Sequence, residues 1–364
     1  MALAALPATA AGAAERAPFY LGADISALAA PPFRYGQPRA VYQENGRASD
    51  ELTILARHGW NVFRLRVFVA PVRDAPDNTL EHAIPVAQRI KAAGATLLLC
   101  IHLSDTWADP QHQEIPVGWR GLDIDGLEKQ VEAYTFGVIR QLKQAGAMPD
   151  WVQVGNEITR GTLWPVAQLN VPGSKEHNPP AGLDDAGQWE HLVRVLKAGI
   201  RGVRAAAGDT PPRIGLHLDR GGDWKATQWF FDHVNAAGVD YDFIAQSFYP
   251  EWNHGTLEQL WENMQQCAVR YHKDFLVVET GYGRSHVKGN TSMLWPETPQ
   301  GRLQFMADLI HTVQQAPGGR GVLYWAPEWE AWNDDGSPGP VVDVLRHVDE
   351  LRARPASHVP AAVP

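Results

Sequence analysis

The sequence predicts a (β/α)8 TIM barrel in a single domain. Three observations carry that prediction. Eight short apolar runs alternate with longer segments of helical periodicity, and several of those segments reach a glycine just before the next run. The first run is followed by "GADISALAA", which offers no glycine-rich phosphate loop, so a dinucleotide-binding sheet loses its main support.

The strand candidates are "FYLGADIS" (19–26), "NVFRLRVFV" (61–69), "TLLLCIHLS" (96–104), "WVQVGNE" (151–157), "RIGLHLD" (213–219), "FIAQSFY" (243–249), "FLVVET" (275–280) and "GVLYWAP" (321–327). Between them, 80–93, 124–146, 188–207, 224–237, 256–273 and 300–316 carry apolar residues at helical spacing. In 124–146, Leu127, Val131, Tyr134, Val138 and Leu142 share one face. Gly59, Gly94, Gly146, Gly208 and Gly238 stand where helices should close, because glycine enters the left-handed region without a Cβ clash. The longest polar insertion, 170–187, follows the fourth strand, and no Pro- or Gly-rich linker marks a second domain.

A chain of 364 residues with 45% hydrophobic and 20% charged content suits one large globular domain. Its net charge of -9 argues against nucleic acid or an anionic membrane as partner, and no apolar run has the length of a bilayer span. A neutral substrate and a monomer are expected. Two cysteines cannot build a disulfide framework, so Cys100 and Cys267 read as core thiols. Cys267 lies on the helical stripe Leu257, Leu260, Trp261, Met264, Cys267, Tyr271. Residues 1–17 read as a signal-peptide remnant without its charged n-region, and 354–364 as a C-terminal tail. That leaves 18–353 as the catalytic domain of a secreted or periplasmic protein.

In such a barrel the active site lies at the C-terminal ends of the strands. In chain order those ends supply Asp24, Arg66, His102 with Asp105, Asn156 with Glu157, His217 with Asp219, Tyr249, Glu279 and Trp325. "VQVGNE" and "VVETGYG" share one plan, an apolar strand that delivers a glutamate. One glutamate at a strand tip is ordinarily the ion-pair partner of an arginine such as Arg66. Two of them, on strands four and seven, face each other across the barrel. That suits retaining glycoside hydrolysis, with carboxyl groups roughly 5–5.5 Å apart, one protonated and the other ionised. Tyr249 is placed to donate to Glu279, and Asn156 to donate to a sugar hydroxyl.

Tryptophan outnumbers the other aromatics, with 14 against 11 Phe and 9 Tyr. Trp107, Trp119, Trp164, Trp252, Trp295, Trp325, Trp329 and Trp332 all follow strands, on the catalytic face. Flat indoles match the apolar faces of sugar rings, and Trp325 is expected to floor the site of cleavage. The candidate substrate-binding set is therefore Asp24, Arg66, His102, Asp105, Trp107, Asn156, His217, Tyr249, Trp252 and Trp325. His102, Asp105, His217 and Asp219 could instead ligate a metal. No His-x-His or His-Glu-x-x-His spacing accompanies them, so neither metal nor cofactor is expected.

On these residues the chain resembles glycoside hydrolase family 53, the arabinogalactan endo-β-1,4-galactanases of clan A. The resemblance runs from about residue 19 to 330 and is carried by "LSDTWADPQHQ" (103–113), "WVQVGNEITRGTLWP" (151–165), "FYPEWNHGTL" (248–257) and "VVETGYG" (277–283), with support from "GADIS" and "FRLRVFV". It implies a retaining β-galactan hydrolase with Glu157 as acid/base and Glu279 as nucleophile. The family usually has His-Tyr-Ser-Asp at His102–Asp105, Ser-Tyr-Tyr-Pro at Ser247–Pro250 and Trp-Glu-Pro at Trp325–Pro327. A family glycine is also replaced in "WPVAQ" after Trp164. Some members hold calcium after strand seven, but "RSHVKGNTSMLWPETPQ" has one Glu and no Asp, so the resemblance does not carry the ion here. Two other readings stay open: a clan A β-glycosidase with altered subsites for another hexosan or oligosaccharide, and a non-catalytic glycan-binding barrel.

Overall fold

Each of the eight predicted runs forms a strand: β1 (Tyr20–Asp24), β2 (Val62–Val67), β3 (Thr96–Ile101), β4 (Trp151–Val154), β5 (Arg213–Leu218), β6 (Phe243–Phe248), β7 (Asp274–Thr280) and β8 (Gly319–Trp325). In the computed structural model they close into one barrel of parallel neighbours, β8 pairing back onto β1. Residues 18–353 are described, apart from 30–32, 35–36, 39–40, 72–76, 172–184, 253–254 and 284–293. The assignments of 1–17 and 354–364, most of the insertion at 170–187 and the loop considered for calcium therefore lie outside the described residues.

Eight helices flank the described strands: α1 (Glu51–Arg57), α2 (Leu80–Ala92), α3 (Ile124–Gln144), α4 (Asp185–Ala207), α5 (Trp224–Ala236), α6 (Leu257–Tyr271), α7 (Pro299–Gln315) and α8 (Val344–Ala353). The sequence pattern locates six of them and passes over α1 and α8, as well as three short hairpins at 33–38, 42–49 and 161–168. The helices start where a short polar side chain can satisfy an unpaired amide. Asp50, Thr79, Asp123, Asp223, Thr256 and Thr298 each accept from the backbone N–H three residues on. The five expected glycines all lie in the left-handed region, with φ from +66° to +86°.

Strand residues alternate between two packing environments. Phe63, Leu65 and Val67 of β2, like Leu97, Leu99 and Ile101 of β3, pack in the large core that includes the helices. Val62 and Leu98 instead pack inside the barrel with Trp151, Phe243, Leu276, Val278 and Leu323. Each such fully buried side chain contributes roughly 1.5–3 kcal/mol. Tyr20 meets Trp151 edge-on at 4.5 Å between ring centroids, and Phe243 lies 5.8 Å from Trp151. Gly215 makes room for this plug, since a Cβ there would stand 2.3 Å from the Phe243 ring. The strand N-termini thus fill the barrel with apolar side chains, and polar groups enter only further up.

Cys100 and Cys267 are buried free thiols, as expected. The stripe on α6 is narrower than its sequence suggests. Leu260, Met264, Cys267 and Tyr271 are buried, but Trp261 is 36% exposed, because it falls at the edge of the packed face.

Candidate active site

Alternation along β2 turns Val62, Arg64 and Arg66 to the inside of the barrel. The sequence singles out Arg66, but the centre of the site is Arg64. It is fully buried and donates from Nε to Gln153 Oε1 (2.9 Å), from Nη1 to Asp24 Oδ2 (2.7 Å) and from Nη2 to Asn156 Oδ1 (2.6 Å). The same Nη2 lies 2.8 Å from Glu279 Oε1. A planar guanidinium with fixed donors can tie β1, β2, β4 and β7 together in this way, which a lysine cannot.

Glu279 reaches the site through an irregularity. In β7, Phe275 and Val277 pack outward while Leu276 and Val278 pack inward, so strict alternation would send Glu279 outward. The pairing with β6 shifts between Gln246 and Ser247, where Gln246 pairs with Val277 and Ser247 with Glu279. Val278 is the extra residue of a bulge, and the slip brings Glu279 opposite Ser247 on the inner face. Tyr249, just past β6, donates to Glu279 Oε2 over a long 3.4 Å, as its position predicts.

Glu157 arrives by another route. Gly155 (φ +85°) and Glu157 itself (φ +48°) are both left-handed, a conformation a side chain normally avoids. Leu103 and Ala326 share this feature, immediately after His102 and Trp325. Glu157 Oε1 lies 2.5 Å from Ser247 Oγ, which in turn meets His217 Nε2 at 2.9 Å. His217 Nδ1 closes back on Asn156 Oδ1 at 3.0 Å, while Asn156 Nδ2 donates to the Ala108 carbonyl at 2.7 Å.

Burial pushes the Glu157 carboxyl well above its usual pKa, and the neighbouring charges of Glu279 and Asp219 push it further. Burial raises Glu279 as well, but there Arg64 and Arg66 pull against it. Of the two carboxyls, Glu157 is the one whose surroundings favour the protonated form. For Asp24, burial alone would raise the pKa. Arg66, Arg64 and two hydrogen bonds from Ser26 more than offset that and hold the carboxylate below its ordinary value. Burial, with Arg64 beside each ring, keeps both His102 and His217 well below the usual imidazole pKa, hence neutral.

The remaining predicted residues divide between the cleft and the scaffold. Arg66 lies 3.4 Å from Asp24 Oδ2, with its guanidinium 4.6 Å over the Trp107 ring and 5.7 Å from that of Trp325. Trp107, Trp325 and Trp329 form an edge-to-face row at 6.3 and 5.4 Å, and Trp252 is 52% exposed. His102 lies tilted against Phe68, with ring centroids 4.4 Å apart, and accepts from the Ala108 amide, leaving Nε2 buried without a partner among the described residues. Asp105 accepts from the backbone amides of Ala70 and Val117, and so fastens two loops together. Asp219 pairs with Thr159, so the four residues weighed as metal ligands each have a different engagement.

The tryptophan bias toward one face is partly packing. Trp119 is buried against Tyr134, Trp295 packs on Tyr282 and Phe305, and Trp332 lies on Tyr42. Sequence reading misses Arg64, Gln153 and Ser247. For Arg64 a signal exists, since it shares the inner face with Arg66 in "FRLRV".

The profile of glycosyl hydrolase family 53 matches residues 20–344. An uncharacterized protein in the bgaB 5′ region of Niallia circulans is 37% identical over 334 residues, covering 88% of this chain and 87% of its own. An arabinogalactan endo-beta-1,4-galactanase of Thermothelomyces thermophilus is 33% identical over 295 residues, covering 78% and 83%. A solved fungal beta-1,4-galactanase superposes with a TM-score of 0.76 at 29% identity, covering 91% of this chain and 99% of that one. Similarity that spans the whole barrel, with both strand-tip glutamates inside it, makes the chain a member of glycosyl hydrolase family 53.

Proposed function

We propose that the chain is a retaining hydrolase of β-1,4-galactan and type I arabinogalactan, with Glu157 as acid/base and Glu279 as nucleophile. The observation that carries this reading is the unequal company of the two carboxyls. Glu279 touches the Arg64 guanidinium, while Glu157 meets a neutral hydroxyl. An ionised Glu279 attacks the anomeric carbon as Glu157 protonates the departing oxygen. Glu157 then removes a proton from the water that releases the sugar from Glu279. Retention calls for carboxyl groups roughly 5–5.5 Å apart, and a separation of about 8–9 Å in a crystal structure would point to inversion instead.

Trp325, Trp107 and Trp252 supply flat surfaces for sugar rings. His102 Nε2–H, without a partner among the described residues, Arg66 and the second Asn156 N–H supply donors for hydroxyl groups, and Asp24, Asp105, His217 and Tyr249 hold the shape of the site. The galactan assignment draws on the names of the relatives. Among the described residues no helix is long and apolar enough to cross a membrane. A secreted or periplasmic monomer with no nucleic-acid or membrane partner and no cofactor fits the net charge of -9 and a polysaccharide substrate. The test is chromatography of products from galactan, arabinogalactan and mannan. Galacto-oligosaccharides from the first two support the reading. Turnover of mannan alone would replace the substrate, and no turnover of any glycan would leave a binding barrel.

A further inference from the structure

We propose that His217 and Ser247 fix the direction of the hydrogen-bond chain that ends on Glu157, so that Ser247 accepts the proton of that carboxyl and does not donate its own. The inference rests on Glu157 being the acid/base, and it assigns His217 and Ser247 as positioning residues for the acid's proton.

The direction is set at the far end. Asn156 Oδ1 accepts from Arg64 at 2.6 Å and its Nδ2 donates to the Ala108 carbonyl at 2.7 Å. Turning the amide over would aim N–H groups at the guanidinium and oxygen at a carbonyl, so its orientation is fixed. An acceptor oxygen therefore faces His217 Nδ1 at 3.0 Å, and Nδ1 must carry a hydrogen. Buried close to Arg64, His217 has only that one proton, which leaves Nε2 bare at 2.9 Å from Ser247 Oγ. Ser247 has a single hydrogen and gives it to Nε2. The 2.5 Å contact between Ser247 Oγ and Glu157 Oε1 then needs a hydrogen that only Glu157 can supply.

The resting enzyme thus stores the acid's proton against a lone pair. When that proton passes to the leaving oxygen, the Ser247 hydroxyl turns from Nε2 to the new carboxylate. It turns back when the hydrolytic water returns a proton to Glu157. No proton passes through Ser247 or His217 in either half-reaction. The Glu157–Ser247 hydrogen bond reverses, and the one from Ser247 to His217 Nε2 opens until the proton returns.

The charged and titratable groups around this chain are Arg64, Glu279, Asp219, Asp109, His102 and the Cys100 thiol, which lies 3.5 Å from Asn156 Oδ1, all unchanged in the variants. The acid must be protonated, so kcat/KM falls as pH rises through the pKa of Glu157. His217→Phe removes the acceptor that holds the serine hydrogen, freeing Ser247 to stabilise the carboxylate. The alkaline limb should then move to lower pH by up to about one unit, the worth of one neutral hydrogen bond. His217→Asn should move it the same way. If His217 instead donated from Nε2 and Ser247 donated to Glu157, both variants would move the limb upward. An upward or absent shift overturns the proposal. Neutron diffraction from the wild-type enzyme needs no variant, and should show deuterium on His217 Nδ1 and on Glu157 Oε1, with the Ser247 deuterium toward Nε2. Deuterium on His217 Nε2 would refute the chain's direction whether or not Glu157 is the acid, while azide rescue of Glu157→Ala tests that role separately.

Discussion

The two glutamates occupy equivalent strand ends in opposite company. On the β7 side, Glu279 sits with Arg64, Arg66 and Asp24, two cations against one further carboxylate. On the β4 side, Glu157 sits with Ser247, His217 and Asp219, and no cation among the described residues makes contact with its carboxyl. Both carboxyls are almost fully buried, so depth does not separate them. On the proposed roles, charge distribution within the buried site, rather than burial, divides acid from nucleophile.

The largest expected effect comes from removing either carboxyl. Glu279→Ala should lose on the order of 10⁴-fold or more in kcat with every glycoside, because the covalent step disappears. Glu157→Ala should lose about 10²–10⁴-fold on galactan and much less in the bond-breaking step with activated aryl glycosides, whose leaving groups depart without a proton. Rates on the two substrate types check this. Equal losses on both by Glu157→Ala would remove the contrast.

Next in size is Arg64→Met, which takes the cation from the β7 side. It leaves Arg66 to face two buried carboxylates, Asp24 and Glu279, and should cost about 3–5 kcal/mol in denaturant unfolding. The nucleophile must be ionised, so kcat/KM is lost as pH falls through the pKa of Glu279. Without Arg64 that pKa rises further and the acid limb should move to higher pH. An unmoved acid limb would mean that Arg64 does not hold Glu279 ionised.

Smaller again is Trp325→Ala. The indole is half-buried beside Arg66 and Trp329, at the mouth of the barrel. Loss of about 1.5–3 kcal/mol of apolar contact with a sugar should lower kcat/KM roughly 10–100-fold, while Tm changes by only a few degrees. A large drop in Tm with activity kept would make Trp325 a packing residue. The smallest effect is expected far from the site, at Arg201, which bridges Glu128 and Glu132 between α4 and α3 in partly exposed pairs. Arg201→Ala should cost less than about 1 kcal/mol and leave both limbs of the pH profile in place.

Much of this is legible in the sequence because its signals are local. A strand's apolar run, a closing glycine and a polar side chain at a helix start each act within a few residues. The barrel and its two glutamates follow from such signals. What stays hidden depends on pairing between distant segments. Arg64 and Arg66 share one face of β2, but only barrel closure puts Arg64 within reach of Asp24, Gln153, Asn156 and Glu279. The bulge at Val278 decides which way Glu279 points, and nothing in "FLVVET" marks it. Asp105 looks like a ligand in sequence, yet its oxygens are taken by two loop amides. The seven-residue α1 is too short for periodicity to show.

The measurement that bears most directly on the division of roles is the anomer formed when azide replaces the missing group. Glu157→Ala and Glu279→Ala are each given an activated β-galactoside and azide, and the product is assigned by NMR. With Glu157 absent, azide should attack the covalent intermediate on Glu279 and give the β-azide. With Glu279 absent, azide should enter from the face the nucleophile has vacated and give the α-azide. An α-azide from Glu157→Ala together with a β-azide from Glu279→Ala would reverse the two roles and contradict the contrast between the β4 and β7 sides.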